Sequence, residues 1–192
     1  MTSPPTLTEF LNATASAAPA PGGLTAIALG AALAVALFEK SLRFPSTGSE
    51  SKAGGAIELM VPLRTRLLRL VESDQKALET LASADEAQRA GAVMGAYRSA
   101  RRLLDAVIQA YTFLQQALDF SHPSRLADIE AGVRLLVAAQ EGAIAQAEDT
   151  LKLLPEDMAE SERPGLVRQI RQVSELAEKA RGGLSWRRGK AG

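Results

Sequence analysis

The chain has no cysteine, one histidine (His122), one tryptophan and few aromatic residues of any kind, 4% of its 192 positions. Without cysteine there are no disulfides, no thiolate metal sites and no thiol nucleophile, which suits a reducing compartment; a cytoplasmic setting is expected. One imidazole gives no basis for a histidine-built centre, so no metal is expected. An excess of one charge is also missing. The 22 Lys and Arg match 22 Asp and Glu, and a neutral chain has no global field to gather nucleic acid or anionic lipid. No stretch alternates as a strand does. Chemistry must therefore use carboxylates, hydroxyls, amides and arginine.

Alanine and leucine are abundant, and both favour helices. The most apolar run, residues 24–38, carries no charge and follows Pro19, Pro21, Gly22 and Gly23. A membrane span needs about 20 apolar residues, whereas this run stops at Glu39. A secretory signal needs a basic start, whereas residues 1–23 contain Glu9 and no Lys or Arg. The stretch reads instead as a helix over 24–42, buried on every side at the centre of a bundle. Rows such as Ala26-Gly30-Ala34 and Ala28-Ala32-Ala36 let neighbouring backbones approach, and Leu29-Leu33-Leu37 is expected to interdigitate with a third neighbour.

The rest of the chain also reads as helices. Thr6 and Glu9 have the spacing of a capping box opening a helix of about three turns. Residues 44–55 read as a polar connection, with helices following over 57–81, 86–118 and 124–154. Pro62 then falls near a first turn. Residues 155–165 read as a loop, 166–180 as a sixth helix, and 183–192 as a mobile basic tail outside a single domain of residues 1–182. The expected fold is all-α, a single-domain bundle of about six helices around a buried Ala/Gly-rich central helix.

A short helix with Phe-Leu, a Pro-x-Pro-Gly-Gly turn and an Ala/Gly-rich helix, here "FLNATASAAPAPGGLTAIALGAALAVALFEKS", resembles the cyclodeaminase/methenyltetrahydrofolate cyclohydrolase family, which includes the C-terminal domain of formiminotransferase-cyclodeaminase. The likeness continues through "LVESDQKAL", "LADIEAG" and "AAQEGAIAQAEDTL". The resemblance implies a homodimeric helical bundle that binds a reduced folate carrying a one-carbon group. It implies hydrolysis of methenyltetrahydrofolate or deamination of formiminotetrahydrofolate, with no cofactor beyond tetrahydrofolate as substrate. It makes Asp128 and Asp74 the catalytic candidates, and Pro21, Gly22, Gly23 and Thr25 the folate-contacting ones. Where the family has a third glycine the chain has Leu24, and Gln146 and Thr150 replace two asparagines. These departures define the alternative, a binding or assembly protein that kept the scaffold without the activity and has a partner protein.

Residue type alone allows plainer readings. Residues 19–23 make a rigid helix-to-helix turn. An aspartate at the start of a helix, such as Asp128, is a dipole partner, and Asp74 reads as a solvated helix-face residue. Arg98, Arg101 and Arg102 share a helix side and either hold a folate's glutamate tail or pair with nearby acids. His122 reads as a turn residue, and Tyr97 and Tyr111, which share a helix face, as part of the core or of an interface.

Overall fold

The computed structural model describes residues 6–191. Its helices are α1 (Leu7–Thr14), α2 (Gly23–Leu42), α3 (Glu50–Ser83), α4 (Glu86–Phe120), α5 (Leu126–Leu151) and α6 (Glu156–Ala191), with a 3-10 turn at Pro123–Arg125 before α5. Among the described residues there are no strands, only an isolated bridge between Pro45 and Ser121.

The capping box forms as the sequence predicts. The Thr6 amide donates to Glu9 Oε2 at 2.6 Å and the Glu9 amide to Thr6 Oγ1 at 3.3 Å. The helix it opens has 8 residues and buries none of them, so it is shorter than the three turns expected. α3 starts at Glu50, not at 57, because the stretch read as a connection supplies Ala53 and Ala56 to the core. Pro62 therefore lies well inside the helix. The expected loop at 155–165 is also helical, since Glu156 and Asp157 favour a helix N-terminus and Ala159 and Leu166 bury their side chains. Pro62 and Pro164 stand on exposed sides of their helices, where the carbonyl each leaves unbonded reaches water. α6 does not stop at 180. The stretch expected as a tail is helical through Ala191 and tied down, Arg187 donating to the Ser121 carbonyl at 3.1 Å and Arg188 pairing with Glu130; Gly192 lies outside the described residues.

Four helices form an up-down ring, each antiparallel to its neighbours: α2 beside α3, α3 beside α4, α4 beside α5, and α5 back against α2. α6 packs against α4 and α5. An ion pair, a hydrogen bond and two glycines fix the register. Glu39 and Thr25 of α2 meet Arg64 and Asp74 of α3. On the other flank Gly132 of α5 receives the Phe38 ring and Gly142 receives Ile27. The core runs down the middle through Ala31, Ala34, Val35 and Phe38 of α2, each 0% exposed, with Leu67, Leu104, Val107 and Leu136 from the other three helices.

α2 departs from expectation. Ala28, Ala31, Ala32, Val35 and Leu42 are buried, but Leu29 and Leu37 are only half-buried and Leu33 is 52% exposed. The leucine row does not interdigitate with a third neighbour, because α3, α4 and α5 cover only one side of the helix. α2 is the one described helix long and apolar enough to cross a membrane, with mean hydropathy 1.6, and half of that window is buried against the rest of the bundle.

Glu39 is buried at 4% exposure, and its Oε1 accepts from Arg64 Nε at 2.8 Å. Removing the cation strands a buried carboxylate. Arg64→Ala is therefore expected to cost about 2 kcal/mol, measured by urea denaturation, and Arg64→Ala with Glu39→Gln to recover part of that loss.

Candidate functional site

The Pro-Gly-Gly turn enters α2 with the Ala20–Pro21 peptide in cis. Pro21 is buried. Gly22 is the N-cap of α2 and offers no side-chain cap to the first-turn amides, so those donors remain for other acceptors. A Cβ on Gly22 would lie 2.7 Å from Leu78 Cδ1, which presses the turn against the end of α3; a Cβ on Gly23 would meet nothing within 4 Å. One residue of the entrance is thus packed tight and the next is open. Leu24, in the family's third glycine position, folds into the core at 6% exposure and does not stand over the turn.

One helical turn further on, Thr25 is 0% exposed and Asp74 of α3 is 3% exposed. Thr25 Oγ1 donates to Asp74 Oδ2 at 2.6 Å. Burial pushes the Asp74 carboxyl above its ordinary value, and the hydrogen bonds from Thr25 hold it partly back. No cation is paired with this carboxylate among the described residues. Asp74 is therefore not the solvated residue that its type suggests. It is a buried carboxylate beneath an uncapped helix start, able to hold or release a proton where neutral groups would be inert.

By the α2–α5 register, Gln146 and Thr150 come to this same end. Thr150 is buried and its Oγ1 donates to the Gln146 carbonyl at 2.6 Å; Gln146 Nε2 donates back to Thr150 Oγ1 at 3.2 Å.

Asp128 lies elsewhere. It begins α5 at the opposite end of α2, half-buried, with Lys40 Nζ at 3.3 Å and Arg125 Nη1 at 3.9 Å. Lys40 is fifteen residues along α2 from Thr25, about 22 Å of helix. Within one chain the structure thus brings Pro21, Gly22, Gly23, Thr25 and Asp74 together and leaves Asp128 apart from them.

The arginine groove does not form. Arg101 turns to α6, where it bonds Gln169 and approaches Glu162 Oε2 at 3.4 Å, and it donates to Tyr97 Oη of its own helix at 3.1 Å, while Arg98 and Arg102 are exposed. Tyr111 is core, as expected; its hydroxyl donates to Gln140 Oε1 at 2.9 Å and is pushed up to about 12 by burial. His122 caps the 3-10 turn, its Nδ1 accepting from the Ser124 amide at 3.2 Å. Among the described residues no three His, Asp or Glu side chains converge to hold a metal ion.

Comparison with known proteins bears on the family and the fold. The family model described as formiminotransferase-cyclodeaminase matches residues 6–162. No curated protein matches the chain by sequence. Among solved structures, the chain is similar in fold to the formiminotetrahydrofolate cyclodeaminase of Thermotoga maritima, with a TM-score of 0.84 and 19% identity over 95% of this chain and 94% of that one.

Proposed function

We propose that this chain, which belongs to the formiminotransferase-cyclodeaminase family, is a cytoplasmic enzyme of one-carbon folate chemistry that uses Asp74 as its proton-transfer group. The observation that carries the reading is the buried Thr25–Asp74 pair beneath the uncapped start of α2. The folate sits against Gly22 and Gly23, where first-turn amides meet its carbonyl groups. Tetrahydrofolate is the substrate, and no other organic group takes part.

For a methenyl substrate, water adds to the cationic carbon between N5 and N10 and gives its proton to the Asp74 carboxylate. The C–N5 bond then breaks and N5 takes up a proton, leaving a formyl group on N10. The carboxylate also opposes the delocalised cation while water approaches. For a formimino substrate, N10 attacks the formimino carbon and its proton passes to the terminal nitrogen; the acid form of Asp74 gives that nitrogen a second proton, and the carbon–nitrogen bond breaks to release ammonia and leave the methenyl bridge. A carboxyl raised by burial serves both directions, because it holds its proton closer to working pH than a solvated one. Thr25 fixes which oxygen faces the substrate.

The test is direct. Absorbance of 5,10-methenyltetrahydrofolate should fall faster with protein than in buffer, or ammonia should appear from 5-formiminotetrahydrofolate. The second reading, binding without turnover, draws on Gln146 and Thr150 bonding each other in place of two asparagines. Its signature is saturable folate binding with neither reaction accelerated.

A further inference from the structure

α6 leans on α4 and stands off α5. Towards α4, Gln169 Nε2 donates to the Arg101 carbonyl at 2.9 Å, and a Cβ on Gly183 would lie 3.1 Å from Leu118 Cδ1. Towards α5, the C-terminal part of α6 leaves a groove of about 310 Å³, lined by Glu130, Val133, Arg134 and Val137 of α5 and by Arg181 and Leu184 of α6. Gly132 and Gly142 turn one side of α5 to α2, and half a turn round the helix sets the groove on the opposite side. It is separate from the Thr25–Asp74 pair.

The floor of the groove is aliphatic and its rim is basic. Val133 is buried, with Val137 and Leu184 half-buried beside it. Glu130, the acid of the lining, is paired with Arg188. Arg181 pairs with Glu178 on its own helix, an exposed contact that holds a cation weakly. Arg134 is exposed and makes no ion pair among the described residues. One guanidinium is thus in surplus on α5, and a second on α6 is free to change partner. A groove of about 330 Å³ at the other end of the same seam lacks this surplus. There Asp149 takes Lys152 at 2.8 Å, and Glu148 balances Arg163 in charge.

Guanidinium groups bind carboxylates through paired N–H donors, and an aliphatic floor gains by being covered. One molecule meets both demands if it joins a carboxylate to an apolar body. The volume stands at the lower limit for small-molecule sites, so that body is short. We infer that the α5–α6 groove binds a small amphiphilic carboxylate, its charged end held between Arg134 and Arg181 and its apolar body laid along Val133, Val137 and Leu184. Nothing in this site depends on folate chemistry.

Sodium octanoate below its micelle concentration is the probe, with octanol and acetate as its two halves. Calorimetry should show one octanoate per chain with a Kd below about 1 mM. Octanol should bind roughly 10-fold more weakly, and acetate should not saturate. The methyl resonances of Val133, Val137 and Leu184 should move with occupancy, while those of Leu33 on the open side of α2 stay in place. Arg134→Ala should weaken octanoate binding about 10-fold, Arg181→Ala should weaken it less, and Arg134→Glu should abolish it. Both arginines are exposed, so helix content should be unchanged in all three. Octanoate that fails to saturate by about 1 mM overturns the site. Octanol that binds as tightly as octanoate, or unchanged affinity in Arg134→Ala, overturns the carboxylate contact. Shifts at Leu33 in place of the groove methyls put the probe on α2 and overturn the site as well. Each outcome reads the same whether or not the protein turns over a folate.

Discussion

Asp74→Asn should abolish turnover and at the same time raise the melting temperature at neutral pH. The two effects have one cause. Asp74 is 3% exposed and its only partners among the described residues are the donors of Thr25, so ionising it in the folded protein is harder than in the unfolded chain. The sign follows from linkage. Below the ordinary value of 3.8 the carboxyl is protonated in both states, and burial carries no charge penalty. As pH rises past that value the unfolded chain ionises first, and the folded state loses stability until its own, higher value is passed. From there to neutrality the penalty is constant. Asparagine has no charge to desolvate, and its side-chain oxygen still accepts from Thr25. The variant should therefore gain about 1 kcal/mol at pH 7 and lose that advantage in acid, read as Tm against pH for both proteins. Turnover, deprived of its proton-transfer group, should fall by about 10²- to 10⁴-fold. A variant that is active, or less stable at pH 7, would show that the pair serves the fold alone.

The seam between α2 and α5 should be the most sensitive part of the core. A Cβ on Gly132 would lie 2.6 Å from Phe38 Cε1 and 3.2 Å from the Ala34 carbonyl oxygen, and Phe38 is 0% exposed with no room to retreat. Gly132→Val is expected to cost about 1–3 kcal/mol through overpacking, and Phe38→Ala about 3–5 kcal/mol through the cavity it leaves. Together they should cost less than their sum, because the valine occupies part of the space the ring vacates. A coupling of about 0.5–3 kcal/mol is expected for side chains in contact, from urea denaturation of the wild type, both single variants and the double. Strict additivity would mean that the two positions do not share one space.

Much of this architecture was legible in the sequence because it depends on local periodicity. The capping box at Thr6, the start of α2 at the glycine pair and the long apolar stripes of α3 to α5 are set by residues within a turn or two of one another. The errors arose where tertiary burial outweighed local punctuation. Pro62 and Pro164 marked a start and a loop on propensity, yet each stands on the outer side of a helix held by its inner face. Asp74 shows the same limit at the site. Its spacing from Leu67, Leu70 and Leu78 sets it within an apolar stripe, a sign of burial that residue type alone outweighed. Its pairing with Thr25, 49 positions away, depends on the α2–α3 register and had no local signal. Asp128 and the turn were joined by family resemblance, and only the register shows that one chain holds them at opposite ends. The bare side of α2 was hidden for the opposite reason: a charge-free run does not reveal which of its faces the other helices of the chain cover.

The ring of four helices is joined by short links on three sides and by none on the fourth. Hairpins α2–α3, α3–α4 and α4–α5 each assemble from sequence neighbours, but α5 must find α2 across some hundred residues, and loop closure rewards that contact last. The glycine seam is thus the latch of the barrel of helices, closed late in folding. Damage there loosens the finished protein and accelerates its unfolding, while the early hairpins form at their former rate.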